Sequence, residues 1–364
     1  MRRRMLVVST VSQSLALQSP TAWDVAREQG FDVTFAAARD EWTPTLLSQD
    51  ASFLELPNAR GLRPAGVAEL ARELKRVLAQ SWDAIIIQTP IIAALVRLQL
   101  PRSARDRCIY VVHGFHFYDG APAQFLPFRA VEFLLASRTH MAVVNSWDAD
   151  WASSLPVRRG PLSMTRLPGA GVDVSRFERA DAMPDAPVPY VLFVGELNSN
   201  KNPVFVIDIV REARLDDPTL SAVIIGDGPL RPEIQALADA NDWVHYIPRS
   251  NTVDSWLRSA EALLAPSARE GLPRVVIEAL ASGKPVLSRA NRGSSELLRN
   301  HPEWLLPATA TAADWARRLT EVRRSRPDPE TLTDEARQYD TAAFDDAFAT
   351  MLRSHLPSEP EGTR

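Results

Sequence analysis

The chain is short of several features, and each shortage excludes something. Cys108 is the one cysteine in 364 residues, so no intrachain disulfide can form and a reducing cytosol is the expected compartment. No stretch approaches the roughly 20 apolar residues that span a bilayer, so membrane contact is expected to be peripheral at most, at the inner face. Neither sign of charge dominates: 41 basic against 45 acidic residues leave a net charge of -4, which makes no case for nucleic-acid binding. No repeat of solenoid period is present. His113 and His116 are spaced to share a metal, yet nothing near them supplies a third ligand. The opening Met1-Arg2-Arg3-Arg4 and the apolar Met5 to Val11 mimic a signal peptide only briefly. Ser9 and Thr10 interrupt the run, no cleavage pattern follows, and a first strand with a basic lead-in is the expectation.

What is present is ordinary globular composition, 45% hydrophobic and 24% charged, at a length that suits two doubly wound domains. Short apolar runs at Met5–Thr10, Phe31–Ala36, Phe53–Leu56, Ala84–Ile87, Cys108–Val112 and Ala142–Asn145 read as strands. Amphipathic stretches between them, such as Pro20–Gln29, Val67–Ala79, Ile91–Leu98 and Phe125–Ala136, read as helices. A second set starts at Tyr190–Val194 and continues through strands at Ala222–Ile225, Val244–Ile247 and Ala262–Ala265. This alternation argues for parallel sheets covered on both faces. The proline-rich Asp181–Pro189 reads as a linker between a first domain, 1–180, and a second, 190–338. A terminal helix, Thr341–Leu356, within 339–364 is expected to pack back toward the first domain.

One stretch organises the second half, Leu263 to Leu287. The apolar Ala262–Ala265 ends at Pro266-Ser267, a loop carries Glu270 and Gly271, and Pro273 suits the first position of a helix. That helix carries Glu278 about one and a half turns in and stops at Gly283. Glu270 therefore sits at the carboxyl edge of a parallel sheet, where such folds bind ligands, and the helix start offers free N–H groups to an anion. Taken alone, two glutamates near a helix start are most often solvated. The whole string, Glu270-Gly271-x-Pro273-x4-Glu278-Ala279-x3-Gly283-x-Pro285, resembles the E-x7-E signature of glycosyltransferase family 4.

That resemblance implies an α/β chain of the GT-B fold, two Rossmann-like doubly wound domains facing a central cleft. It also implies a retaining, metal-independent transfer from a nucleotide sugar, by branch habit a UDP-sugar, which acts as co-substrate with no other cofactor. By resemblance Glu270 contacts the donor sugar and Glu278 the ribose hydroxyls. Gly195, Gly271, Leu272, Pro273 and Arg274 line the donor diphosphate with Lys201, in Gly195-Glu196-Leu197-Asn198-x2-Lys201. Glu196 stands where many relatives have arginine, and Arg274 or Arg269 could compensate. Val112-His113-Gly114-Phe115-His116-Phe117-Tyr118 resembles a segment of the bacterial exopolysaccharide branch, in which His113 falls beside the donor sugar. Gly169-x-Gly171-Val172-Asp173-x3-Phe177 resembles the family's end of the first domain. The acceptor implied is a glycan, a lipid-linked glycan or a small molecule.

Other motifs receive plainer readings. Gly226-Asp227-Gly228-Pro229 is a strand-to-helix turn, with Asp227 a candidate cap. Asp148-Ala149-Asp150 matches the metal–nucleotide DxD of the other large glycosyltransferase fold, but its place in a first helical turn argues for capping. Arg97, Arg102, Arg105 and Arg107 form a basic stretch, by default a solvated face and alternatively a contact for anionic lipid. Two rival functions stay open at this stage. One is a UDP-sugar 2-epimerase of the same fold; the other is an inactive nucleotide-sugar-binding partner, for which Glu196 would be the sign of decay.

Overall fold

Runs rich in Val, Ile, Leu and Ala cannot leave either face in water, so they settle as central parallel strands with helices on both sides. The computed structural model describes residues 3–17, 21–48, 51–58, 64–118, 122–325 and 327–356. They form two compact units: Met1–Gly171 with Thr341–Arg364, and Val172–Asp340.

The first unit holds β1 (Arg3–Val11), β2 (Phe31–Ala38), β3 (Ser52–Glu55), β4 (Ala84–Ile87), β5 (Cys108–Val112), β6 (His140–Val143) and β7 (Met164–Arg166). These pair in parallel in the order β3-β2-β1-β4-β5-β6-β7. The second unit holds β8 (Tyr190–Val194), β9 (Ser221–Ile225), β10 (Val244–Ile247), β11 (Ala262–Ala265), β12 (Val286–Arg289) and β13 (Leu305–Leu306). Their parallel order is β10-β9-β8-β11-β12-β13. Strand order reverses direction between β1 and β4 in one unit, and between β8 and β11 in the other. Each reversal leaves a crevice at the carboxyl edge, the place where ligands bind in such sheets.

The break between the units falls at Gly171/Val172, inside the Gly-x-Gly-Val-Asp segment. Asp181–Pro189, expected as the linker, lies within the second unit. Met183 N donates to Ser259 Oγ at 2.7 Å, and Ala186 packs against that unit's core. Proline content marks irregular backbone, and here that backbone is tied down. The last helix, Thr341–His355, belongs to the first unit, where Phe348 meets Trp23 edge-on at 6.2 Å and Thr21 donates to Asp345 at 2.6 Å. Pro20 of the first expected helix lies outside the described residues.

Arg97 corrects the basic-stretch expectation. It is fully buried in the helix Pro90–Gln99, bonded through both terminal guanidinium nitrogens to Glu132 at 2.8 Å and lying 4.6 Å over the Tyr110 ring. Two charges leave water together only when their geometry satisfies both, as this two-pronged pair does.

Candidate active site of the second unit

Three loops meet at the carboxyl edge of the second sheet. The loop after β8 carries Gly195 to Asn202, the loop after β9 carries Gly226 to Pro229, and the loop after β11 carries Pro266 to Pro273. Their approach is close enough to need glycine. A Cβ on Gly226, where φ is +154°, would sit 1.8 Å from the Gly195 carbonyl oxygen. The ladder Gly195 N to Ile225 O (3.0 Å), Leu197 N to Asp227 O (2.9 Å) and Leu230 N to Leu197 O (2.8 Å) zips the first two loops together. Asp227 is not the helix cap expected of it. Its Oδ1 accepts from Gly228 N at 2.8 Å inside the turn, and the helix Arg231–Ala240 starts beyond Leu230.

The loops after β8 and β11 are joined by Asn200. Its Nδ2 donates to the Arg269 carbonyl at 3.0 Å and its own carbonyl accepts from Ala268 N at 2.8 Å. This join brings Lys201 Nζ to 2.7 Å from Glu270 Oε1, across 69 positions of sequence and at the strand-order reversal between β8 and β11. Both side chains are largely covered, 25% and 13% exposed, so each charge is held by the other in a site with little water. Gly195 lies under the same lysine, with the Lys201 Cδ 3.7 Å from where a Cβ would stand.

The helix after the turn is Arg274–Ala281, with Pro273 immediately ahead of it in extended conformation instead of at its first position. Val276 N in its first turn donates to Pro273 O at 3.1 Å, and the helix N-terminus directly follows the Gly271-Leu272-Pro273 turn. Glu278 is 16% exposed, and Arg274 Nε of the same helix lies 3.7 Å from its Oε1. Burial pushes the Glu278 carboxyl up from its ordinary value, while Arg274 and Arg176 pull it down and Asp254 adds to the rise. Arg176 itself is fastened to Asp254 at 2.8 Å, which leaves Glu278 beside a fixed arrangement of charges.

A support was missed in the sequence. Gly293, in the helix Arg292–Leu297, lies beneath the Gly271–Pro273 turn, and a Cβ there would be 2.5 Å from the Gly271 carbonyl oxygen. Asn291 caps that helix by accepting from Ser294 N at 3.0 Å, and its Nδ2 donates to Ser267 O at 3.0 Å. The signal was Asn-Arg-Gly-Ser after an apolar strand, a strand-to-helix turn with its own cap. Of the two arginines offered as substitutes at Glu196, Arg269 donates from Nε to Asn200 Oδ1 at 3.3 Å and Arg274 reaches toward Glu278; Glu196 is exposed.

In the first unit, His113 follows β5 at the carboxyl edge. Burial lowers its pKa to about 4, so the ring is neutral at pH 7, and its covered Nε2 makes no hydrogen bond. The motif around it divides by role. Phe115 and Phe117 stack at 4.9 Å and pack on Trp151, whereas His116 is exposed against Phe128 at 5.0 Å. Asp148 is fully buried, accepting from Asn145 Nδ2 at 2.8 Å and from Phe115 N at 3.3 Å. Asp148 alone thus anchors the histidine loop, while Asp150 is exposed and the cap expected of the Asp-x-Asp is supplied by Asn145.

Two parallel α/β units, each with a crevice at its strand-order reversal, have the architecture of the GT-B fold. The comparisons agree. Residues 175–339, nearly the whole second unit, match the family model described as glycosyl transferases group 1. EpsD of Bacillus subtilis (strain 168), a glycosyltransferase by name only, is 26% identical over 273 residues, 69% of this chain and 70% of its own length. A Campylobacter jejuni α-1,4-N-acetyl-D-galactosaminyltransferase, whose name includes a PP-undecaprenol-linked glycan, is 33% identical over 32% of this chain and 33% of its own. Among solved structures, Anabaena HepE in complex with UDP-glucose superposes with a TM-score of 0.72 at 14% identity, covering 96% of this chain and 99% of that one. The chain is an enzyme, a glycosyltransferase.

Proposed function

We propose that the enzyme is a retaining glycosyltransferase of family 4, moving a sugar from a UDP-sugar to a glycan or lipid-linked acceptor without a metal ion. The observation that carries this reading is the Lys201–Glu270 pair at the reversal between β8 and β11, close in sequence to the N-terminus of the helix Arg274–Ala281. The chemical difficulty is departure of a nucleoside diphosphate from an anomeric carbon. Negative charge grows on the leaving oxygens as the sugar ring becomes oxocarbenium-like. Donors already oriented at that place stabilise the transition state more than the ground state, because they need no rearrangement as the charge appears. Lys201 Nζ and the N–H groups after Gly271 are assigned that task. Held by Glu270 before donor arrives, Lys201 spends no further ordering when the diphosphate enters.

Glu278 is assigned the ribose hydroxyls, and Glu270 and His113 the donor sugar. A neutral imidazole can donate or accept a hydrogen bond without competing for the diphosphate. In the front-face reaction, the acceptor hydroxyl forms the new glycosidic bond as the bond to the diphosphate breaks, and its proton passes to the departing phosphate oxygen. The acceptor side is supported by the Campylobacter relative's name, and a lipid-linked acceptor would bring the enzyme to the cytoplasmic membrane face.

The test is a thermal-shift and hydrolysis screen of nucleotide sugars, run on wild type and Glu278→Ala, with and without EDTA. Stabilisation follows the ratio of nucleotide concentration to its dissociation constant, so donors can be ranked before the acceptor is known. The expected result is one UDP-sugar that stabilises and is slowly hydrolysed by wild type, unchanged by EDTA, with both effects lost in the variant. No shift with any nucleotide would overturn the donor-site assignment.

A further inference from the structure

The helix Leu126–Leu135 of the first unit is turned inside out. A surface helix normally buries its apolar stripe and shows its charges to water. Here the one carboxylate, Glu132, is buried 2.8 Å from Arg97, while Leu126, Phe133 and Leu134 are 58%, 39% and 54% exposed. Single exposed apolar residues mean little; a concentration of them on one surface does. Leu98, on the helix Pro90–Gln99 that holds Arg97, is 59% exposed and continues this surface. The two helices are clamped by the Arg97–Glu132 pair, and Arg138 Nη1 donates to the carbonyls of Arg97 and Leu98 at 3.0 and 3.4 Å. Val157, 98% exposed, belongs to a loop that folds onto the same face, since the Arg159 guanidinium lies 5.7 Å from the Phe133 ring.

Charge decides what covers this surface. Arg129 on the outer face of the helix, and Arg158 and Arg159 on the loop, are all exposed. Among the described residues, the exposed carboxylates of the neighbouring segments are Asp106 and Asp150. A second copy of the chain, meeting this face about a two-fold axis, would set Arg129, Arg158 and Arg159 against their own equivalents, and like charges across an interface are costly. An anionic bilayer meets both requirements, with acyl chains for the leucines and phenylalanine and lipid phosphates for the arginines. The enzyme's overall charge of -4 makes the basic face a local feature that sets the orientation of approach.

We propose that the outer face of Leu126–Leu135, with Leu98 and the Val157–Arg159 loop, docks the enzyme on an anionic lipid bilayer. The proposal deepens the lipid-linked acceptor reading and rests on it for its purpose, but its test needs no turnover. The Arg102–Arg107 stretch is not required by it, and Arg97 acts from inside the unit by keeping Glu132 away from the surface.

The experiment is flotation of the full chain with vesicles of phosphatidylcholine alone or mixed with phosphatidylglycerol. Binding is expected only with phosphatidylglycerol, weakening as salt is raised. The triple variant Leu126→Ser/Phe133→Ser/Leu134→Ser is expected to lose at least about tenfold in vesicle binding. Arg129→Gln and Arg159→Gln are each expected to lose about fivefold. Retained stabilisation by UDP shows that a variant is folded, and the arginine variants keep the test valid if the triple variant is not. Wild type remaining in the aqueous fraction with phosphatidylglycerol would overturn the proposal. So would a concentration-dependent dimer that the triple variant dissociates without any vesicle binding. Vesicle binding by a protein that no nucleotide stabilises would leave the docking face standing and remove the donor-site reading.

Discussion

In the role proposed for it, Glu278 would serve two opposed demands. A carboxylate that receives ribose hydroxyls must be charged and close to the ligand, while burial makes that charge expensive; its pKa is raised for that reason. The linkage follows from the direction of the shift. The folded state holds the proton more tightly than the unfolded one, so stability falls as pH rises through the interval from the unfolded to the folded pKa, and the penalty is complete above it. Glu278→Gln, which removes the charge and keeps the shape, is therefore expected to raise Tm relative to wild type at pH 8. That difference should vanish below the ordinary carboxyl range, and stabilisation by UDP should be lost. Thermal scans across pH with and without nucleotide check both parts; a Tm no higher than wild type at pH 8 would refute the first. Residue-scale reading from sequence placed Glu270 and Lys201 in loops at the carboxyl edge of the second sheet, and the structure has them there. It failed at Arg97, whose companions in the basic stretch stay at or near the surface but whose own neighbour in space is Glu132. Burial of a charge depends on a partner 35 positions away, which no local pattern displays.

Strands and helices were largely legible, because periodicity and punctuation are local. The regularities that escaped are those in which one loop needs another. Gly226 and Gly293 look like ordinary turn glycines in sequence, yet each is glycine because a second loop's carbonyl, Gly195 in one case and Gly271 in the other, occupies the space of a side chain. Backbone cannot yield as a flexible side chain can, so Gly226→Ala is expected to cost about 3 kcal/mol or more through overpacking and the strained φ together. Urea unfolding measures the loss. Donor stabilisation should fall with it, since the same loop position holds Gly195 under Lys201. A variant with unchanged midpoint would mean that the loops can separate freely.

The second unit carries every residue assigned to the donor except His113. Its core runs from Val172 to Tyr339 without side chains from the first unit, so Val172–Asp340 meets the condition for folding alone. The fragment is expected to unfold cooperatively and to be stabilised by UDP with an affinity within about tenfold of the full chain. Turnover should be absent, since His113, assigned to the donor sugar, is missing. Calorimetry with added UDP checks this, and a fragment that aggregates or ignores UDP would show that the donor site needs the first unit. The first unit has no such independence from the chain's end. Trp23 packs against Phe348 of the closing helix, so both ends of the sequence build one core.

The sequence by itself determined most strand and helix segments, the number of units and the places of Glu270, Glu278 and Lys201 at or beside the carboxyl edge of the second sheet. These follow from short-range preferences and from one long ordered motif. Only the tertiary structure decided that the units divide at Gly171 and not in the proline-rich segment, that Lys201 and Glu270 bond, and that Arg97 turns inward while Phe133 and Leu134 turn out. The physical reason is the same in each case. Burial, ion pairing and steric exclusion are properties of neighbours in space, and a linear pattern specifies them only when the partner lies within a turn or two of the chain.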